Sequence, residues 1–205
     1  MNYTTPASPD AITATIQALA QRNVTAVAVK TKEEALAHIT KLIPAGASIM
    51  NGSSTTLNQI GFIDYLTSGT HGWNNLHEAI IAEKDPAQQA MLRKQSVLSD
   101  YYIGSVHGLA QTGEFVIASN TGSQLPHIVF TSPNLIFVVS TKKIMPTLQD
   151  AIQRVREHVV PLEDERAMKA YGSHTALNKM VIFENENPHL GRSVHMILVE
   201  EDLGF

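Results

Sequence analysis

Cysteine is absent from the 205-residue chain, which removes disulfides, thiolate nucleophiles and cysteine-ligated iron–sulfur clusters. An electron carrier of that kind would have to sit on a partner. An excess of positive charge is missing too. Fifteen Lys and Arg stand against 19 Asp and Glu, for a formal net charge of −4, and the basic residues are scattered, so nucleic acid has no electrostatic footprint to bind. No apolar run approaches the ~18 residues that cross a bilayer. The start, Met1-Asn-Tyr-Thr-Thr-Pro6, lacks the basic and apolar regions of a secretory signal, so the expectation is a cytoplasmic protein with no membrane partner. Several chemical signatures are also lacking. No Gly-Lys pair completes a phosphate loop, no spaced glycines form a dinucleotide fingerprint, and no Gly-x-Ser-x-Gly elbow occurs. The nine histidines fall at no metal-ligand spacing. The sequence therefore predicts neither a cofactor nor a metal site.

What is present is enough apolar residue, 43% of the chain, to build one core, and a single domain over 1–205 is expected. Ile12, Ile16, Leu19 and Ala20 recur at helical spacing from Asp10 to Arg22. Val24 to Val29 reads as a β-branched strand, and Thr31-Lys-Glu-Glu34 as a capping box that opens a helix to about Leu42. Ala47 to Asn51 reads as a short strand, with a helix over Thr55 to Leu66. Trp73 to Gln95 predicts one or two helices broken near Asp85-Pro86. Val97 to Ile103, Glu114 to Ala118 and Asn134 to Ser140 are the central strand candidates, and Leu135-Ile-Phe-Val-Val139 is apolar enough to be buried on both faces. A helix from Thr147 to Val159 continues past Pro161 to about Ala170. Lys179 to Phe183 and Ser193 to Val199 read as a late antiparallel hairpin. The alternation predicts an α/β fold: an open, mostly parallel sheet with helices on both faces.

Three polar loops interrupt this frame. Asn51, Gly52, Ser53, Ser54, Thr55 and Thr56 lie between a strand and a helix, where backbone N–H groups lack intrahelical partners and glycine permits close approach. Capping by one serine explains one hydroxyl, whereas four stand in a row, which suits an anion. Gly104, Ser105, Gln111 and Thr112 belong to a second loop region, and Asn120, Thr121, Gly122 and Gln124 to a third. Loops at strand ends of an open sheet face a ligand crevice. In the second region His107 is the candidate general base, and Glu114 a candidate base or nucleophile. Each also has a bland reading, as a backbone-bonded histidine and a solvent-facing strand-start carboxylate. Lys142 and Lys143 read as a solvated pair at a strand end.

In this order the segments Glu33-Glu-Ala-Leu36, Ile43-Pro-Ala-Gly-Ala-Ser48, Asn51 to Leu57, Gly104 to Glu114, Asn120-Thr-Gly122, Lys143-Ile144, Leu148 to Val155 and Gly191 to Phe205 resemble the LUD (lactate-utilization) domain family in its subunit-C-like form. The resemblance implies a fold like that of the ribose-5-phosphate isomerase and CoA-transferase superfamily. It implies a role around oxidation of L-lactate to pyruvate, beside iron–sulfur redox partner proteins, with a small anionic metabolite, carboxylate or phosphate, in the loops. Relatives with this C-terminus often carry a cysteine-containing segment where this chain has Tyr171-Gly-Ser-His-Thr-Ala-Leu177. The superfamily's isomerases carry an acidic motif where this chain has Gly104-Ser-Val-His-Gly108. Its CoA-transferases use a glutamate nucleophile, for which Glu114 is in the right region. An autonomous isomerase or acyl-transferase, and a non-catalytic assembly subunit, stay as alternatives. Two-fold association into a homodimer is a further expectation from the general frequency of such dimers.

Overall fold

A computed structural model describes residues 2–205. Helix α1 (Pro9–Gln21) starts where the Ser8 hydroxyl accepts from the Ala11 N–H and Pro9 occupies a first-turn position that needs no N–H donor. Strand β1 (Thr25–Val29) leads to α2 (Lys32–Leu42). Thr31 caps α2 by accepting from the Glu34 N–H, but the Glu34 carboxylate reaches back to the Lys30 N–H, at 2.7 Å, and not to Thr31. Strand β2 (Ser48–Asn51) is followed by α3 (Thr55–Gln59) and α4 (Phe62–Thr67). The single helix expected there is split at Gly61, whose φ of 77° is the left-handed conformation that glycine adopts without steric cost.

The remaining elements are β3 (Asn74–Asn75), α5 (Leu76–Ala82), α6 (Pro86–Gln95), β4 (Tyr101–Gly104), β5 (Gly108–Ala110), β6 (Phe115–Ser119), β7 (Asn134–Ser140), β8 (Ile144–Met145), α7 (Leu148–Arg154), α8 (Val160–Tyr171), β9 (Lys179–Phe183) and β10 (Ser193–Val199). The break at Asp85-Pro86 falls where the sequence places it. A π turn over Val155–Val159 joins α7 to α8. It loosens the hydrogen-bond ladder just where Pro161 has no N–H to contribute, so the helical path continues.

Six parallel strands form the main sheet in the order β1-β10-β7-β4-β2-β3, and a smaller mixed sheet runs β8-β5-β6-β9. Period-2 alternation divides the core. Leu135, Phe137 and Val139 of β7, with Val194, Met196 and Leu198 of β10, pack against Ile12 and Leu19 of α1 and against Leu109, Phe115 and Ile117 of the small sheet. Ile136, Val138, Ile197 and Val199 face the other way, onto Ala35, Ile39, Leu57, Phe62 and Leu66 of α2, α3 and α4. The far side of the small sheet is covered by Ala151 and Val155.

The main sheet carries helices on both faces, as expected: α2, α3 and α4 on one, and α1 beside the second sheet on the other. Two expectations are corrected here. The late hairpin does not form: β9 pairs antiparallel with β6, whereas β10 lies between β1 and β7, parallel to both. Val194, Met196, Ile197, Leu198 and Val199 are all buried, and an interior parallel strand buries both its faces in this way. Gly108–Ala110, expected within the second loop region, is a strand.

Candidate functional site

The C-terminal ends of parallel strands β2, β4 and β7 lie side by side, so the segments that leave them gather at one end of the sheet, where open α/β folds bind ligands. A cavity of about 270 Å³ opens there. Its wall includes Gly52, Ser53, Ser54, Thr55 and Thr56 after β2, and Gly104 at the end of β4 with Ser105 and His107 after it. Asn120, Thr121 and Gln124, from the loop after β6, complete the three-loop arrangement, with Tyr102, Lys143, the first half of α8 and the Thr175–Leu177 segment closing the rest.

Each loop is held by specific contacts. The Ser54 hydroxyl accepts from the Leu57 N–H, at 3.3 Å, and so serves as a cap. Because α3 is a five-residue helix, its macrodipole is small, and the hydroxyls, not the dipole, define this wall. Gly52 serves its neighbour as well as any ligand: a Cβ there would stand 2.6 Å from the Tyr102 hydroxyl and 3.2 Å from Gln124 Oε1. Asn51 lies beneath the loop and not on the wall. Its side-chain N–H donates to the Gly52 carbonyl, at 3.3 Å, while its buried Oδ1 has no partner among the described residues. In the third loop Gln124 donates to the Ala118 carbonyl, at 3.0 Å, and Asn120 is fixed by Thr175 and Asn178. Gly122 turns this loop at a φ of 86° without lining the cavity.

His107 lines the cavity, but the Nδ1 lone pair accepts the Ala118 N–H, at 3.0 Å. Burial, then the charges of Lys143 and Arg154, push its imidazole down to about 3. The ring is therefore neutral with its proton on Nε2, a hydrogen-bond donor and not the general base expected from the sequence. Glu114, Gln111 and Thr112 do not line the cavity. The Glu114 carboxylate is taken by the Arg22 guanidinium and the Thr112 hydroxyl. Burial raises that carboxyl, but the hydrogen bonds from Thr112 and Arg22 outweigh it and hold it below the usual range. Glu114 is a structural ion-pair partner.

The functional group that sequence reasoning missed is Lys143. Expected at a solvated strand end, its side chain is 4% exposed and sits in the cavity wall. Its Nζ approaches Ser105 Oγ at 3.1 Å, the Val106 carbonyl at 3.2 Å and Thr56 Oγ1 at 3.3 Å. Among the described residues no carboxylate pairs with it. Burial first, then the charges of Arg154 and Lys142, hold its proton affinity well below that of an ordinary lysine. Lys142 is also buried but is paired with Asp202 and the Gly204 carbonyl. Arg154, fully buried, donates to the His107 carbonyl at 2.7 Å, while its Nε and Nη2 lack partners among the described residues. At the rim, Glu163 and Arg166 neutralise one another through two hydrogen bonds of 2.7 Å. The site is a hydroxyl-lined pocket beside buried positive charge. Among the described residues, no group of three His, Asp or Glu side chains is placed to hold a metal ion, and no helix is long and apolar enough to cross a membrane.

Comparison with known proteins agrees with this architecture. No match is found among curated proteins. Among solved structures, a DUF162 family protein from Deinococcus radiodurans is similar, with a TM-score of 0.55 and 10% sequence identity over 95% of this chain and 98% of that one. At that identity the likeness is one of fold. A model of the LUD domain matches residues 12–199, nearly the whole sequence and every loop of the cavity, and the chain belongs to the LUD domain family.

Proposed function

We propose that this LUD-domain protein binds a small anionic metabolite in the cavity and acts as an accessory component in the oxidation of L-lactate to pyruvate. In this reading the whole chain works as one unit in the cytoplasm, and electrons pass to an iron–sulfur partner protein. The observation that carries the binding reading is Lys143, a buried lysine that no carboxylate pairs with among the described residues, facing a cavity rimmed by hydroxyls. A buried cation left unpaired is costly, and an anion delivered to the cavity would remove that cost. Thr56 and Ser105, which already touch Lys143, and Ser53 and Thr55 beside them offer O–H donors for the remaining lone pairs of a carboxylate or phosphate. The small volume favours a ligand of a few heavy atoms over a nucleotide or acyl-CoA. The family resemblance favours lactate and pyruvate among such ligands.

An autonomous acyl-transferase is disfavoured, since Glu114 is engaged elsewhere and the cavity's own carboxylate, Glu163, is paired with Arg166. The test is calorimetric titration of L-lactate, pyruvate and inorganic phosphate into the protein and into Lys143→Met. Saturable binding of at least one anion, weakened at least tenfold in the variant, is expected. Absence of binding by all three at millimolar concentration would remove the reading.

A further inference from the structure

The following step rests on the anion-binding reading and concerns the same cavity. We propose that Lys143 is a covalent carbonyl-capturing residue that forms an imine with the C2 carbon of a small 2-oxo acid. Geometry sets Lys143 apart from Lys142, its neighbour in sequence. Lys142 is locked by a carboxylate and a carbonyl, whereas the Lys143 Nζ meets hydroxyls and one backbone carbonyl inside the cavity. Burial first, then Arg154 and Lys142, with no carboxylate paired to it among the described residues, shift Lys143 toward the neutral amine, the form that attacks a carbonyl. Two N–H bonds can then be donated, while the Ser105 or Thr56 hydroxyl turns its O–H toward the amine. Such a hydroxyl is able to pass a proton between the amine and the substrate oxygen.

The class of carbonyl follows from the charge around it. A simple aldehyde or ketone would leave Arg154 and a protonated imine at Lys143 without a counter-charge, since Asp202 is already taken by Lys142. A 2-oxo acid places a carboxylate one bond from the reacting carbon, so one small ligand supplies both the electrophile and the counter-charge. His107, neutral with the proton on Nε2, adds a donor in the cavity wall. In the step itself the Nζ lone pair attacks C2 and forms the C–N bond. The carbonyl oxygen takes up a proton to give a carbinolamine, and then leaves as water with a second proton as the C=N bond forms. Both protons are replaced from the two N–H bonds of the amine, so no oxidant or reductant is consumed.

The experiment uses pyruvate with sodium cyanoborohydride, which reduces an imine to a stable secondary amine, followed by intact-mass measurement and peptide mapping. L-lactate, which has no carbonyl, is the control. One adduct per chain is expected, located at Lys143 in preference to exposed lysines such as Lys30 and Lys32, absent with lactate and absent in Lys143→Met. Mapping on the unaltered protein keeps the test valid should the variant fold poorly. If calorimetry shows pyruvate bound but no adduct forms, or the adducts spread over exposed lysines, the imine is refuted and the anion site stands. If neither pyruvate, lactate nor phosphate binds, both fail together.

Discussion

Replacing Lys143 by methionine should make the protein's stability less dependent on pH in the alkaline range. In the unfolded chain this lysine keeps its proton up to its ordinary value of 10.5, whereas in the fold burial and the charges of Arg154 and Lys142 lower it. Below pH 10.5 the folded state therefore binds less proton than the unfolded state, and burying this amine costs stability. The cost is present at neutral pH and fades as pH rises toward 10.5. Every tenfold loss of proton affinity is worth about 1.4 kcal/mol, which for a chain of this size moves Tm by about 3–5 °C. Methionine matches the stem in length and removes the charge, and it also gives up the contacts to Ser105, Val106 and Thr56. Those contacts are neutral on the acceptor side, are worth about 1 kcal/mol each, and face a cavity that water can enter. Their loss changes the Tm of the variant by the same amount at every pH. The diagnostic quantity is thus the difference in Tm between variant and parent, followed by scanning calorimetry from pH 7 to pH 10. It should shift against the variant by at least about 3 °C over that interval. A difference that stays constant would show that Lys143 is no harder to protonate than a surface lysine, and the argument for a ligand-seeking amine would fail.

Three other outcomes are expected. Gly52→Ala drives a methyl into the Tyr102 hydroxyl and should cost about 1–3 kcal/mol in urea unfolding while weakening anion binding, and an unchanged midpoint would contradict that packing. His127 is buried against Tyr102 with its Nδ1 between Ser99 and Ser132, and burial pushes it down from 6.5 to about 4. Because the fold binds less proton there than the unfolded chain, this residue should take stability down as pH falls through that window, by no more than about 3 kcal/mol, and His127→Gln should make that part of the profile less steep by chemical denaturation, His107 supplying the slope that is left. Glu114→Gln should lower stability by about 1–3 kcal/mol through the loss of its charged partner Arg22 and leave anion titrations unchanged, and lost binding would return Glu114 to the site.

Local chemistry was legible where it was self-contained. Thr31 and Thr147 each cap a helix through their own hydroxyl, and the apolar run of β7 reads as a central strand because both faces are buried. The three loops were legible for the same reason, each standing directly after a strand. Long-range pairing decided what was misread at the site and in the order of the strands. Lys143 looks like any strand-end lysine until Thr56, Ser105 and Val106, up to 87 positions away, close around it. Glu114 finds Arg22 across 92 positions, which no spacing rule anticipates. In the case of β10 the signal was present, since a nearly unbroken apolar strand is unsuited to an exposed hairpin. The short connection from β9 suggested a local turn instead.

The small sheet explains why the lysine is where it is. Strand β8 pairs parallel with β5, with Leu109 opposite Ile144 and Ala110 opposite Met145, so the residue just before β8 is brought alongside the segment just before β5. Lys143 is that residue, and Val106, whose carbonyl it contacts, belongs to that segment. Gly108 opens β5 where a Cβ would lie 2.8 Å from the Ala151 carbonyl, and its absence lets α7 pack directly onto the strand. The same close packing carries Arg154 to the His107 carbonyl. One register and one glycine thus place two buried cations on either side of a short loop, while the main sheet supplies the hydroxyls opposite. A polar loop after a parallel strand is common to many α/β folds. Here the second sheet converts it into a pocket with buried basic groups at its base, and the proposed preference for an anion rests on them.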